Sequence, residues 1–188
     1  MGDTNMFKYA IFGFLAWLSY GFVTQNQAVQ DMERTIAIIK NSNISETTEL
    51  VLFKDLHPIK YTGRDLDCLA RNIFFEAGTE DTMGKYAVAQ VTVNRVNARR
   101  WGNNICAVVY SPGQFSWTSD SELASIKLDS DNWYESRAVA QAVLSQGFRI
   151  KTLKKALYYH ADYTTPPWRD HDQQIGKIGR HIFYTKAK

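Results

Sequence analysis

Glu76 is the residue whose position is least expected for its chemistry. Leu66, Leu69 and Ile73 recur at spacings of three and four, which places them on one face of a helix, and Glu76 continues the same line. An ionised carboxylate on a core-facing line is costly, and a raised pKa is the usual response. A glutamic acid that stays protonated near neutral pH suits cleavage of a glycosidic bond, because the leaving oxygen of an acetal departs readily only after protonation.

Other interpretations of Glu76 stay open at the level of the pattern. The residue can instead lie at a frayed helix end, or pair with an arginine such as Arg71 or Arg95. Glu80 and Asp81 lie near enough in sequence to supply the second carboxylate of an ordinary two-carboxylate hydrolysis. Gly78 is expected to end the helix before them, so their geometry relative to Glu76 does not follow from the sequence.

The remaining groups with acid-base or metal-binding chemistry are four histidines: His57, His160, His171 and His181. His160-x-Asp162 and His171-Asp172 sketch a zinc site, but their spacings match no zinc signature. Isolated histidines are more often hydrogen-bonded structural residues, so no metal and no cofactor is predicted. The chain also carries no G-x-S-x-G element of serine hydrolases and no glycine-rich phosphate loop.

Helical periodicity dominates the segment that must position these groups. Asp65 to Ala77 is predicted as a first helix, and Thr82 is predicted to cap a second one through MGKYAVAQVTVNRVNAR. The apolar positions of this second helix cover a wide arc, so we expect it to be central in the domain. Further helices are predicted over residues 103–110 and 131–145, the latter ended by Gly147.

The pattern changes near the carboxyl end of the chain. KALYYHADY and HIFYTK are aromatic and β-branched, which predicts short strands. The sequence between them, TTPPWRDHDQQIGKIGR, is rich in turn residues and is predicted to be a loop. The predicted fold class is therefore α+β, mainly α, with a small β element late in the chain.

The amino-terminal segment is predicted to be a membrane helix outside this domain. Residues 9–23 carry no charge, and the next charge after Lys8 is Asp31. A helix of fifteen residues spans only about 22 Å against roughly 30 Å of hydrocarbon, so the span is marginal. An uncleaved signal anchor is favoured over a cleaved signal peptide because no A-x-A site follows. Residues 31–61 are predicted to be a linker.

Composition limits the function classes. With 45% apolar and 22% charged residues a packed core is expected, and a net charge of +3 is too small to indicate nucleic-acid binding. Aromatic residues make up 13% of the chain, which suits both cores and sugar-binding clefts. The two cysteines, Cys68 and Cys106, suffice for one disulfide in an oxidising compartment.

Four separated motifs, in order, resemble the SleB-type cell-wall hydrolase family. They are LARNIFFEAGTEDTMGKYAVAQVTVNRV, NNICAVVYSPGQFSW, ALYYHADYTTPPW and IGRHIFY, and they cover about residues 65 to 185. The family's E-A-R-G-E element reads EAGTE at residues 76–80, so the family's arginine is absent. The family's N-R pair and its P-G-Q-F element match residues 94–95 and 112–115.

The resemblance implies lytic transglycosylase chemistry on bacterial peptidoglycan. Glu76 matches the family's catalytic acid, and it would protonate the oxygen between N-acetylmuramic acid and N-acetylglucosamine. It would then accept a proton from the muramic C6 hydroxyl as that hydroxyl closes on C1, which leaves a 1,6-anhydro product. An internal nucleophile of this kind removes the need for a second carboxylate. Cysteines like Cys68 and Cys106 recur in Gram-negative members, so the resemblance points to a disulfide without excluding free thiols.

Polar and aromatic residues in two of the matching motifs are predicted to bind the glycan. The candidates are Gln114, Phe115, Ser116 and Trp117 on one loop, and Tyr159, His160, His181 and Tyr184 on the late strands. Each of these residues can equally be a core residue whose polar tip finds a partner.

The expectations combine into a membrane-tethered enzyme of the cell wall. Residues 1–30 form a signal anchor, 31–61 a linker and 62–188 a lysozyme-like lytic transglycosylase-type domain in the periplasm. With a weak anchor, the chain looks like a phage endolysin of the signal-anchor type, and an inner-membrane wall enzyme of bacteria is the alternative. Muramidase hydrolysis, N-acetylmuramoyl-L-alanine amidase activity and a non-catalytic glycan-binding module are the competing functions. The expected partners are glycan strands and the inner membrane, with no nucleic acid.

Overall fold

The computed structural model describes residues 52–55, 59–125 and 128–187 of the chain. All of them belong to one compact unit, residues 46–188. The elements in chain order are β1 (Leu52–Lys54), α1 (Gly63–Ala77), α2 (Thr82–Ala98), α3 (Ile105–Val109), α4 (Ser121–Ser125), α5 (Asp131–Gln141), β2 (Phe148–Ile150), β3 (Tyr158–Ala161), β4 (Asp172–Ile178) and β5 (His181–Lys186). The mainly helical fold with a small sheet is confirmed, whereas the lysozyme-like arrangement stays a prediction.

Helix α1 begins and ends close to where the sequence predicts. Thr62 caps its amino end in a capping box, in which the Thr62 hydroxyl accepts from the Asp65 N–H and the Asp65 carboxylate accepts from the Thr62 N–H. Leu69 and Ile73 are fully buried, which confirms the predicted core-facing line. Helix α1 packs against α2, α3 and α5.

Helix α2 is the central element, as its wide apolar arc predicts. Residues 83–93 are all buried. The polar side chains among them are satisfied within the protein: Gln90 exchanges two hydrogen bonds with the backbone of Ile150, and Lys85 pairs with Glu135. The predicted cap is wrong by one residue, because the side chain of Asp81 and not that of Thr82 accepts from the first turn.

A disulfide joins the first helix to the third. Cys68 in α1 is bonded to Cys106 in α3, at a sequence separation of 38 and with Cα atoms 5.3 Å apart. The same two helices are also linked through Asp65, whose carboxylate accepts from the Cys106 N–H at 3.2 Å. The disulfide and this hydrogen bond therefore hold α3 against α1.

The strands form two antiparallel sheets. β1 pairs with β2, and the other sheet has the order β3-β5-β4. In the three-stranded sheet Tyr159 is paired with Phe183 and His160 with Ile182. Because successive side chains alternate between faces, Tyr159 and Phe183 share the face toward the helices, whereas His160 and Ile182 share the outer face.

Three predicted boundaries are corrected. The segment predicted as a loop contains β4, an edge strand of seven residues whose exposed glutamines and lysine hide the usual alternation. The predicted helix 131–145 is α-helical only as far as Gln141. It continues as a π-helical turn over Ala142–Gln146 and ends at Gly147, as predicted. The predicted linker 31–61 includes a strand at Leu52–Lys54.

None of the helices in the described ranges is long and apolar enough to cross a membrane, and the predicted anchor, residues 1–30, lies outside those ranges.

Candidate active site

Glu76 lies in the last turn of α1, where the helix meets the three-stranded sheet. Its carboxylate is largely enclosed, and its Oε2 atom accepts a hydrogen bond of 3.0 Å from the Tyr159 hydroxyl. Burial raises the pKa of Glu76, while the hydrogen bond from Tyr159 and the charge of Arg95 act in the opposite direction. The protonated form therefore persists above the ordinary range of a glutamic acid, as general acid chemistry requires.

Arg95 brings a buried cation close to this carboxyl group. Its guanidinium lies 5.2 Å from the ring centres of both Trp101 and Phe115, and its Nε donates to the carbonyl of Leu157 at 2.8 Å. Only 6% of the residue is exposed, and its Nη1 atom has no hydrogen-bond partner among the described residues. The chain thus places an arginine charge near Glu76 from α2, although the family's arginine is absent beside the acid.

Tyr159 connects the acid to the sheet. It lies on β3, where its ring packs edge-on against His181 with 5.1 Å between ring centres. Burial raises the pKa of the Tyr159 phenol well above its ordinary value, and the neighbouring Glu76 adds to the shift. The phenol therefore stays protonated and donates to Oε2 of Glu76, which fixes that carboxyl oxygen and leaves Oε1 without this bond.

Replacing Tyr159 by Phe is expected to shift the pH dependence of the enzyme and to slow it. A hydrogen bond to a charged group contributes about 1.5–3 kcal/mol, so kcat should fall roughly 10- to 100-fold. The lost bond also raises the pKa of Glu76 further, so the alkaline limb of the kcat profile should move to higher pH. Rates of glycan cleavage measured between pH 4 and 9 test both effects.

Tyr134→Phe is the matched control for this change. Tyr134 is 58% exposed, and its hydroxyl bonds to Asp129 away from the site. Its variant should keep the parental profile. An unshifted alkaline limb in Tyr159→Phe would contradict the proposed coupling of the two side chains.

An aromatic cleft adjoins Arg95 and Tyr159. It has a volume of about 460 Å³, and its walls carry three half-buried rings, those of Trp101, Tyr158 and Trp168. Ring centres of neighbouring pairs are 5.8 Å apart for Trp101 and Tyr158 and 5.7 Å apart for Tyr158 and Trp168. The remaining lining residues are polar or small: Arg95, Arg100, Gly113, Gln114, Tyr159 and Asp172. Partly exposed rings with polar groups between them suit the faces and hydroxyls of a sugar.

The loop residues predicted to bind the glycan divide into two groups. Gln114 lines the cleft, and Ser116 is exposed nearby at the start of a short 3-10 turn. Phe115 and Trp117 are each only 3% exposed, so their assignment as substrate contacts is corrected. Phe115 supports the guanidinium of Arg95, whereas Trp117 stacks on Phe75 and donates to Asn72 at 3.1 Å.

The predicted residues of the late strands also lie in different places. Tyr159 reaches both Glu76 and the cleft. His181 is 7% exposed and packs beneath the Tyr159 ring, where burial lowers its pKa. His160 and Tyr184 are hydrogen-bonded to each other at 3.0 Å and line a second cavity on the outer face of the sheet. The structure therefore brings only Tyr159 of these four to the acid.

Glu80 and Asp81, the possible second carboxylates, are engaged elsewhere. Both oxygens of Glu80 accept from Arg180, at 2.8 Å from Nε and 3.0 Å from the backbone N–H. Burial alone would raise the pKa of Glu80, but these hydrogen bonds hold it below its ordinary value. Asp81 caps α2 through Gly84. Glu80 thus holds the turn between β4 and β5 in place. The fit is close, because a Cβ atom at Gly179 in this turn would collide with Oε2 of Glu80.

The histidine-aspartate pairs do not assemble a metal site in the described part of the chain. No group of three or more His, Cys, Asp or Glu side chains suited to a metal occurs there. The ring nitrogens of His160 contact the Ala161 carbonyl at 2.8 Å and the Tyr184 hydroxyl at 3.0 Å. Asp162, two residues on, is paired with Lys177 at 2.7 Å.

Three contributors to the site were not predicted from sequence: Trp101, Tyr158 and Trp168 as cleft walls. Arg95 was named only as a possible ion-pair partner of Glu76, in an alternative to the catalytic interpretation, and the structure places its charge near that acid. The three rings carried no distinguishing signal, because aromatic residues occur throughout the domain.

Comparison with known proteins identifies the family. Residues 79–184 match the family described as Cell Wall Hydrolase. The chain belongs to this cell wall hydrolase family. The matched range begins just after Glu76, so the role of that residue depends on its own geometry.

Individual relatives of this cell wall hydrolase are spore proteins. The spore cortex-lytic enzyme of Bacillus subtilis (strain 168) is 29% identical over 127 residues, which are 67% of this chain and 39% of the relative. That of Oceanobacillus iheyensis is 30% identical over 128 residues, 67% of this chain and 43% of the relative. The chain therefore matches less than half the length of these curated relatives.

Solved structures of catalytic domains are similar over nearly their full length. The catalytic domain of the Bacillus cereus SleB protein has a TM-score of 0.55 at 30% identity, over 68% of this chain and 94% of that one. The catalytic domain of the germination-specific lytic transglycosylase SleB from Bacillus anthracis has a TM-score of 0.56 at 30% identity, over 69% of this chain and 100% of that one. The cell wall hydrolase therefore has the SleB catalytic-domain fold.

Proposed function

We propose that this chain is a lytic transglycosylase that cleaves the bond between N-acetylmuramic acid and N-acetylglucosamine in peptidoglycan. The observation that carries the proposal is the state of Glu76, a largely enclosed carboxyl group with a raised pKa that is hydrogen-bonded to Tyr159, a residue that lines the aromatic cleft. The similar catalytic domain from Bacillus anthracis is that of a lytic transglycosylase, which supports the same reaction class.

The proposed reaction uses Glu76 twice. The protonated carboxyl group donates its proton to the glycosidic oxygen, and the bond from that oxygen to muramic C1 breaks with the electron pair leaving on the oxygen. The muramic C6 hydroxyl then attacks C1, and its proton passes to the Glu76 carboxylate. A 1,6-anhydro ring forms, no water is consumed, and the acid is restored for the next cycle.

The neighbours of Glu76 suit both halves of this cycle. Enclosure of the carboxyl group favours the acid form that protonates the leaving oxygen. The Tyr159 hydrogen bond and the Arg95 charge stabilise the carboxylate that must form next. The engagement of Glu80 and Asp81 supports a mechanism with one carboxyl group, in which the substrate provides its own nucleophile and the cleft holds it in place.

Mass analysis of digested peptidoglycan tests the proposal. Purified sacculi incubated with the protein should release fragments that end in 1,6-anhydromuramic acid, which are 18 Da lighter than hydrolysed ones because no water is added. Reducing muramic ends would instead indicate a muramidase, and free stem peptides an amidase. Either of those outcomes would overturn the transglycosylase assignment.

We also propose that the protein is a phage endolysin held at the inner membrane by residues 1–30, with its catalytic domain in the periplasm for host lysis. The uncharged run at residues 9–23 supports a membrane segment, and the Cys68–Cys106 disulfide suits an oxidising compartment. Fusing the first 30 residues to a reporter and fractionating the cells tests the anchor. A reporter found in the soluble cytoplasmic fraction would refute it.

A further inference from the structure

A second cavity lies on the outer face of the three-stranded sheet, separated from the aromatic cleft by Trp168. Its volume is about 390 Å³. The Trp168 ring contacts Tyr158 of the cleft on one side, and His160 and Tyr184 of the second cavity on the other, with ring centres 5.5–5.7 Å apart. Asp172, at the start of β4, lines both spaces. The two cavities are therefore adjacent and share one carboxylate.

The second cavity differs from the cleft in the surface that it offers. Its aromatic residues present almost no open ring face, because His160 is 8% and Tyr184 is 2% exposed and the two rings stack on each other at 5.3 Å. A sugar ring has nothing to stack on there. The rim is instead polar, with hydroxyls, carboxylates and one guanidinium from residues 162–172. Such a rim suits a ligand with amide, ammonium and carboxylate groups.

The charges around the rim indicate where such a ligand would be held. Asp162 is paired with Lys177 at 2.7 Å, and Asp170 with Arg169 at 3.0 Å. The Asp172 carboxylate makes no hydrogen bond or ion pair with any side chain in the described ranges. An unpaired carboxylate at the junction of the two cavities is an acceptor for an N–H or ammonium group that enters from the cleft.

We propose that the second cavity binds the stem peptide of the muramic acid residue whose sugar ring lies in the cleft, with Asp172 as the first acceptor for its N–H groups. The inference rests on the proposed function. In peptidoglycan the stem peptide branches sideways from the muramic acid through its lactyl group, so a glycan in the cleft needs room beside it. A peptide with amide groups, carboxylates and a diamino acid has the chemistry that this rim can pair.

Two variants test the peptide cavity. Gln174 is exposed and lines only the second cavity, so Gln174→Trp fills it from the sheet, and Asp172→Asn removes the charge at the junction. Gln173→Trp is the matched control, because Gln173 is an exposed neighbour on the opposite face of the same strand. The substrates are intact glycan strands and the same strands after an amidase has removed their stem peptides.

The expected result is a loss confined to the peptide-bearing substrate. Both variants should lower kcat/KM on intact strands about tenfold, mainly through KM. Gln174→Trp should leave cleavage of peptide-free strands at the parental rate, whereas Asp172→Asn, which also alters the cleft, should lose more on intact strands than on peptide-free ones. Equal losses of Gln174→Trp on both substrates would assign the cavity to sugar instead, and unchanged rates on both would leave it without a ligand. Each of these two outcomes overturns the proposal.

A binding measurement separates this proposal from the proposed function. The Glu76→Gln protein is titrated with each kind of strand, and it should bind peptide-bearing strands more tightly than peptide-free ones. The Gln174→Trp change in that background should remove the difference. If the parent cleaves neither substrate while the difference in binding persists, the transglycosylase assignment fails and the peptide cavity stands. If the difference is absent, the peptide cavity fails whatever the parent cleaves.

Discussion

Replacing Glu76 by Gln is expected to abolish glycan cleavage while the domain stays folded. The amide has nearly the shape of the protonated acid and can still accept from Tyr159, but it cannot donate a proton to the glycosidic oxygen. Loss of a positioned general acid costs about 10²- to 10⁴-fold, and here the same group also acts as the base. Release of soluble fragments from sacculi, followed by chromatography, measures the loss.

The same change is expected to stabilise the fold at higher pH. Burial raises the pKa of Glu76 in the folded chain above that in the unfolded chain. Below the unfolded value both states are protonated and the carboxyl group carries no penalty. As pH rises through the folded value, the folded chain must ionise an enclosed group, and stability falls. The denaturation curves of the parent and of Glu76→Gln should therefore coincide near pH 4, and Glu76→Gln should be the more stable of the two near pH 8.

Glu122→Gln is the matched control, because Glu122 is an exposed carboxylate on α4. This variant should cleave at the parental rate, and its free energy of unfolding should equal that of the parent at both pH values. Retained cleavage in Glu76→Gln would mean that another group donates the proton. A variant that is inactive and also less stable at every pH would point to a supporting role for Glu76 instead.

Removing the disulfide is expected to have the largest effect on stability. At a sequence separation of 38 between Cys68 and Cys106, the loss of the crosslink lowers the free energy of unfolding by about 3–4 kcal/mol. The crosslink acts mainly by restricting the unfolded chain, so the folded structure of Cys68→Ala/Cys106→Ala should resemble the parent. Guanidinium unfolding monitored by tryptophan fluorescence gives the difference.

A reductant separates the crosslink from the packing of its sulfur atoms. Cys68 is only 4% exposed, so alanine there also leaves a small void. Reduction of the parent should reproduce most of the loss, and the same reductant should leave the double variant unchanged. A parent that unfolds at the same denaturant concentration with and without the reductant would contradict the expected stabilisation.

The helices were largely predictable because their signals are local. The three-and-four spacing of Leu69 and Ile73 and the wide apolar arc of α2 each reflect burial that the sequence must encode within one element. Strand β4 was missed because an edge strand with exposed glutamines has no apolar alternation to detect. The one-residue error at the α2 cap has a similar origin, since Asp81 and Thr82 are both good caps.

The candidate site was predictable only in part, since its contacts are not local. The line through Ile73 identified Glu76, but nothing in either segment indicates that Tyr159, 83 residues later, donates to it. Phe115 shows the opposite limit. An aromatic ring has the same sequence signal whether it contacts a sugar or, as here, the guanidinium of Arg95.

The long span between Glu76 and its partners has a consequence for the time at which the enzyme becomes active. The acid is made early in translation, whereas Tyr159 is held by pairing with β5, which ends at Lys186. The turn before β5 is fastened to the start of α2 by Arg180 and Glu80, 100 residues apart. A nascent or truncated chain that lacks β5 therefore carries Glu76 without the pairing that holds Tyr159 beside it. We expect such a chain to lack the activity of the full-length protein until the last strand has been synthesised.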